Sequence, residues 1–202
     1  SRFSLAAAAK SLPAGSYEIA NPEEVENLEI EALGWLLNNY VFDKYKNKKA
    51  SQAYLVQPKT INSDRVLKFA EAEALARNLI NTPTSDMGPE NLAFAVKNLA
   101  NKFDAEYSEI VGENLIQQNF PLIHAVGRAS AQEPRLLEIK NGSVGPKVTL
   151  VGKGVCFDTG GLNIKPGRSM GLMKKDMGGA ANVLALTSMI LSTGMNIQLR
   201  VL

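Results

Sequence analysis

Lys153, Asp158, Lys165 and Asp176 fall within one run, Val151 to Ala181 (VGKGVCFDTGGLNIKPGRSMGLMKKDMGGAA), which also holds half of the sixteen glycines. Two carboxylates bind one divalent cation only if the backbone between them turns back. Gly160, Gly161, Gly178 and Gly179 permit so tight a path. Lys153 stands between two glycines directly after an apolar segment. A desolvated amine there has a lowered pKa, and its neutral form is a nitrogen donor. Lys165 can place a positive charge where an oxyanion develops. Two carboxylates and an amine suit Zn²⁺ or Mn²⁺ better than Ca²⁺, which takes oxygen ligands. Two such ions about 3.5–4 Å apart would activate water and clamp a tetrahedral intermediate.

Each residue also has a plainer reading. Lys153 could cradle a phosphate, but the P-loop pattern needs a glycine five positions before the Gly-Lys pair and a hydroxyl residue after it. Those positions hold Lys147 and Gly154, so the spacing fails. Asp176 could be a helix cap, Asp158 a turn residue and Lys165 a surface charge. Met170, Met173 and Met177 read as packing residues.

The elements that must position this run follow from periodicity. Val148 to Val151 reads as a buried strand leading into it. About Gly179 to Ser192 reads as a helix leading out, followed by a strand over 196–202. Upstream, Asn21-Pro22-Glu23-Glu24 is a helix start, with an asparagine cap, a first-position proline and a capping-box glutamate. Val25, Leu28, Ala32, Trp35, Leu36 and Tyr40 continue it to about Tyr45, with Trp35 and Tyr40 as core residues. A short strand is expected at Ala53 to Val56. A second helix spans 64–80, and a third begins at Pro89 with Leu92, Val96, Leu99 and Phe103 on one face. Strands are expected at 105–111 and 135–139 and a brief helix at 113–118, with 122–126 ambiguous. The N-terminal SRFSLAAAAKSLPAGS faintly resembles a targeting peptide but reads as strand or loop. Strands alternating with helices predict an α/β fold with a mostly parallel sheet, flanking helices and a right-handed crossover between the last two strands. Ligands gather at the carboxyl ends of such strands, where Lys153 lies.

Composition narrows the classes. The chain has 202 residues, 45% apolar and 21% charged, with a net charge of +2. That charge does not argue for nucleic acid, and the basic run Lys44 to Lys49 reads as a solvated helix end. One cysteine, Cys156, allows no internal disulfide and points to a reducing, cytoplasmic compartment. No apolar run approaches the roughly 18 residues of a membrane span.

Val151 to Gly154, Phe157 to Gly161, Lys165-Pro166 and Met173 to Ala181 together closely resemble the leucyl (cytosol) aminopeptidases of the M17 metallopeptidase family. Asn78 to Pro83, with Gly88-Pro89 and Leu92-Ala93, resembles that family's entry to its catalytic domain. Ala125 to Arg128 followed by Pro134 to Leu136 is a weaker match. The resemblance runs from about residue 25 onward. It implies that Lys153, Asp158 and Asp176 are metal ligands, with Asp158 bridging two ions. It implies that Lys165 polarises the peptide carbonyl, that Met173 lines the side-chain pocket, and that Asp158 and Asp176 also take part in binding substrate. It also implies two divalent ions per subunit (Mn²⁺ or Zn²⁺), peptide substrates and a cytoplasmic homo-hexamer. Residues 1–60 would be the tail of a smaller N-terminal α/β domain. Residues 61–202 would be the connector helix and the first half of the catalytic domain. Thr159 stands where many members carry serine. His124 stands where an apolar residue is usual, and reads as packed.

The family's Asn-Thr-Asp-Ala-Glu-Gly-Arg motif, with further carboxylates and a second catalytic residue, is expected some fifty positions beyond Asp176. The chain reaches only Leu202. It is therefore expected to be a fragment truncated at both ends. Two functions follow: a metal-dependent aminopeptidase in complete form, or an incompetent module that only binds metal or oligomerises. A nucleotide-binding module is the more distant third.

Overall fold

The computed structural model describes residues 3–47, 49–157, 162 and 164–202. The chain divides into two compact units, residues 1–74 and 75–202.

The first unit contains helix α1 (Ser4–Ser11), strand β1 (Gly15–Tyr17), a single 3₁₀ turn (Pro22–Glu24), helix α2 (Leu28–Asn38) and strand β2 (Ala53–Leu55). The long helix α3 (Ser63–Asn81) begins in it. The N-terminus, expected as strand or loop, is helical instead, because the alanine run favours helix and α1 packs on α2. Glu31 of α2 is only 6% exposed, and its carboxylate accepts the Leu5 backbone N–H at 2.8 Å. That N–H belongs to the first turn of α1, where helices lack internal acceptors. The expected single helix over 21–45 is also broken. Asn21 and Glu24 pair at 3.1 Å as the sequence suggests, but they start only one turn. Asn27 then takes the left-handed conformation (φ 54°), and α2 ends at Asn38. Asn39 spends its side-chain amide on the Ala53 carbonyl (3.2 Å), beside the Trp35 indole N–H at 3.1 Å. Trp35, Ala9 and Ala53 form this unit's core. Strands β1 and β2 pair in parallel.

The second unit contains helix α4 (Pro89–Lys102), strand β3 (Glu106–Val111), short helices α5 (Asn114–Gln117) and α6 (Pro121–Gly127), and strands β4 (Arg135–Asn141) and β5 (Lys147–Leu150). A 3₁₀ turn before α4 (Thr84–Asp86), one-turn helix α7 (Gly167–Met170), a second 3₁₀ turn (Met173–Met177), helix α8 (Gly178–Ser192) and strand β6 (Gln198–Val201) complete it. The α/β class stands, but this sheet is mixed rather than mostly parallel. Its order is β3-β4-β6-β5. The pairs β3/β4 and β4/β6 are antiparallel, and only β5/β6 is parallel. A parallel return needs a long crossover helix. The link from β5 to β6 has one in α8, whereas α5 and α6 between β3 and β4 are short. Gly145 (φ +90°) shapes the turn between β4 and β5, where a Cβ would come within 2.8 Å of the Asn196 carbonyl carbon. This close passage lets β6 enter between them.

The core gathers Ile139, Leu199 and Val201 from the sheet, Leu92, Val96 and Leu99 from α4, and Ala181, Leu184 and Ile190 from α8. On β6 the alternation is strict: Leu199 and Val201 are buried and Arg200 is exposed. Arg200 Nε reaches Glu138 at 2.6 Å and Lys140 reaches it at 2.8 Å. Burial pushes the Glu138 carboxyl up, but these two hydrogen bonds outweigh it and hold the group below its usual value. Strand β5 is less buried than expected, with Lys147 and Thr149 exposed and Val148 and Leu150 half-buried.

Truncating the fully buried Ile139 to alanine should cost about 2–5 kcal/mol. Leu122→Ala, at an 80% exposed position, should stay within about 0.5 kcal/mol. Urea midpoints of the two variants check this, and equal midpoints would contradict the assigned core.

Candidate functional site

After β5 the chain runs straight onto the first turn of α8. Gly152 donates its N–H to the Leu202 carbonyl (2.8 Å), and Ala180 donates its N–H to the Lys153 carbonyl (3.0 Å). The approach is close enough to require glycine. A Cβ at Gly152 would lie 2.6 Å from the Ala180 Cα, and one at Gly179 would lie 3.0 Å from the Lys153 nitrogen. The helix start thus satisfies one of its unpaired N–H groups with a loop carbonyl.

This backbone contact sets Lys153 beside Asp176, whose carboxylate Oδ1 takes a hydrogen bond from Lys153 Nζ. The lysine side chain is 61% exposed and the aspartate 26%. The expected desolvation of Lys153 is therefore not found among these residues. An ion pair so exposed adds about 0–1 kcal/mol, so it does not hold the loop in place. One nitrogen and one oxygen donor meet at one point, a mixed set that borderline cations accept once the amine is neutral. Among the described residues no group of three or more His, Cys, Asp or Glu side chains converges. Asp158, the third expected ligand, lies outside the described residues.

Lys165 stands apart from this pair. Its Nζ contacts Met173 Sδ at 3.4 Å and sits 5.6 Å from the centre of the Phe157 ring, a cation–π distance. The structure thus brings Lys165 to Met173 and Lys153 to Asp176. Two partners were not anticipated from the sequence. One is Phe157. The other is Lys174, whose Nζ donates to the Asn81 carbonyl at 3.2 Å. His124 lies 3.2 Å from a Glu113 carboxylate oxygen, with its side chain 15% exposed, a packed residue with a polar neighbour.

An apolar cleft of about 470 Å³ lies against residues 152–156, walled by Leu92, Val96, Leu137 and Val183 among others. Lys153 is among its lining residues, whereas Asp176, Lys165 and Met173 are not. Cys156 does line it and is 6% exposed. Burial pushes its thiol from 9.0 to about 11, with the Arg135 charge opposing.

A family model described as the cytosol aminopeptidase family, catalytic domain, matches residues 74–202. A second, the M17 aminopeptidase N-terminal domain, matches residues 1–58. A probable cytosol aminopeptidase of Aquifex aeolicus is 40% identical over 162 residues, which cover 76% of this chain and 33% of that protein. The crystal structure of the cytosol aminopeptidase from Coxiella burnetii superposes with a TM-score of 0.91 at 42% identity, covering 99% of this chain and 44% of that one. The bottromycin maturation enzyme BotP in complex with Mn gives a TM-score of 0.82 at 29% identity, covering 98% and 45%. The chain spans less than half the length of these relatives.

Two outcomes follow from the local packing. Gly152→Ala forces the loop away from α8, at about 1–3 kcal/mol for such overpacking, and speeds hydrogen exchange at the Ala180 amide. Unchanged exchange would contradict the contact. Because the folded thiol of Cys156 has the raised pKa, its stabilising effect is complete below the unfolded value of 9.0 and is lost as pH rises through about 11. At pH 8 a disulfide reagent should therefore label it slowly in native protein and quickly in denaturant. Equal rates would contradict this.

Proposed function

The chain belongs to the cytosol aminopeptidase family, and on that premise we propose that it is the metal-binding half of a leucyl-type aminopeptidase active site. The observation that carries this reading is the meeting of Lys153 Nζ with the Asp176 carboxylate at the end of β5, inside the matched segment. Lys153, Asp158 and Asp176 would hold divalent metal in this reading. Mn²⁺ or Zn²⁺ fits the donor set, and a similar protein was determined with Mn. Two cations held there would supply Lewis acidity to a peptide carbonyl and lower the pKa of the attacking water.

The chain's own residues do the remaining work. Lys165 leaves its resting contacts with Met173 and Phe157 and donates from Nζ to the carbonyl oxygen as negative charge develops there. Met173 packs against the side chain of the N-terminal residue. Substrates are peptides with a free N-terminus, and the complete protein is a cytoplasmic homo-hexamer. Among the described residues no helix is long and apolar enough to cross a membrane. Residues 1–60 act as the tail of the N-terminal domain, and 61–202 as connector and first part of the catalytic domain.

A second reading is supported by the chain's coverage of its relatives, less than half of their length. In it, the 202 residues alone at most bind metal weakly or join an oligomer, without turnover, and activity belongs to the full-length protein. Turnover of a leucine amide substrate by the 202-residue chain with Mn²⁺ or Zn²⁺ would overturn that reading. In the full-length protein, Lys165→Ala should retain metal and lower kcat by about 10²–10³. Lys153→Ala should instead lose metal on dialysis. Metal content and turnover measured side by side check the division, and wild-type values for both variants would overturn the assignment.

A further inference from the structure

The 3₁₀ turn Met173–Met177 sorts its side chains by threes, because positions i and i+3 eclipse in a helix of three residues per turn. Met173 and Asp176 share one side, and they meet Lys165 and Lys153 respectively. Lys174 and Met177 share the next side. Met177 is 1% exposed and joins the core cluster, while Lys174 Nζ donates to the Asn81 carbonyl at 3.2 Å. Lys175 is exposed. Asn81 is the last residue of α3, where helix carbonyls lack internal partners and carry the negative end of the dipole. A lysine ammonium suits that acceptor.

The two anchors on this side differ in kind. Met177 is held by apolar contacts, which are not directional. The bond from Lys174 is directional and joins positions 93 apart in sequence. A slip of one residue in such a turn rotates every side chain by about 120°. In one direction it would set Lys175 where Asp176 now stands, ammonium against ammonium. We infer that Lys174 is a positioning residue: its bond to the end of α3 sets the rotation of the turn and so aims the Asp176 carboxylate at Lys153. This rests on the proposed reading of Asp176 as a metal ligand, and adds a residue that never touches the metal.

The test uses the full-length protein with Lys174→Met, Lys174→Arg, a control Lys175→Met and a reference Asp176→Ala. Mn²⁺ affinity is read by EPR titration. Lys153 reactivity toward an N-hydroxysuccinimide ester is read in metal-free protein by mass spectrometry. Lys174→Met should weaken Mn²⁺ binding about ten-fold, as loss of an outer partner of a metal ligand does, and label Lys153 severalfold faster. Lys174→Arg should recover most of both, and Lys175→Met should change neither. The inference is overturned if Lys174→Met behaves as Lys175→Met does. It is also overturned if Lys174→Arg fails to recover while both variants melt equally early, which marks a purely structural role. If Asp176→Ala keeps wild-type Mn²⁺ affinity, the metal reading fails by itself, and the labelling of Lys153 still decides the role of Lys174.

Discussion

The close passage of the Lys153 backbone against the first turn of α8 is the contact on which the rest of the site depends. It works only because neither Gly152 nor Gly179 carries a Cβ. The bond from the Ala180 N–H to the Lys153 carbonyl closes it. The exposed ion pair between Lys153 and Asp176 is too weak to impose this geometry. The order of cause runs the other way: core packing of α8 through Ala181, Leu184 and Ile190 places the helix, and the turn that leads into it carries the carboxylate.

The turn ahead of α8 divides its work between scaffold and chemistry. Chemistry in loops depends on rigid elements that hold them. Here a five-residue turn has one side in contact with lysines and another tied to the core and to α3. A longer, looser loop would leave the rotation of Asp176 undetermined. An α-helix in the same place would move the pairs off register, because its repeat is 3.6 residues rather than 3.

Buried polar groups tell a similar story in the first unit. Glu31 and Trp35 lie on one helix, and each pairs its polar atom with a backbone group of the same unit. Glu31 accepts from Leu5, and Trp35 donates to Ala53. Burying such groups is tolerable only when they are paired in this way. The chain positions that pair are 26 and 18 residues apart, distances that no local pattern encodes.

What the sequence by itself determined was wherever one face of an element repeats. The period of α4, the extent of α8, the alternation around Leu199 and Val201, and the glycine spacing about Lys153 were all legible because burial imposes them on neighbouring residues. Lys153, Lys165 and Asp176 stood out for the same local reason, as charged groups in a glycine-rich run. The α/β class followed from the alternation of those elements. Tertiary structure decided what depends on distant partners. The alanine run became α1 because α2 offered Glu31 and a packing face. The helix begun at Asn21 broke at Asn27, where a left-handed residue re-aims the chain. The sheet became mixed because β6 inserts between β4 and β5 through a turn whose glycines touch Asn196 and Ile197. Lys174 looked like one lysine of a pair, and its role emerged only when the fold brought the end of α3 within reach. Local periodicity records which face is buried, whereas the partner that buries it is a property of the whole chain.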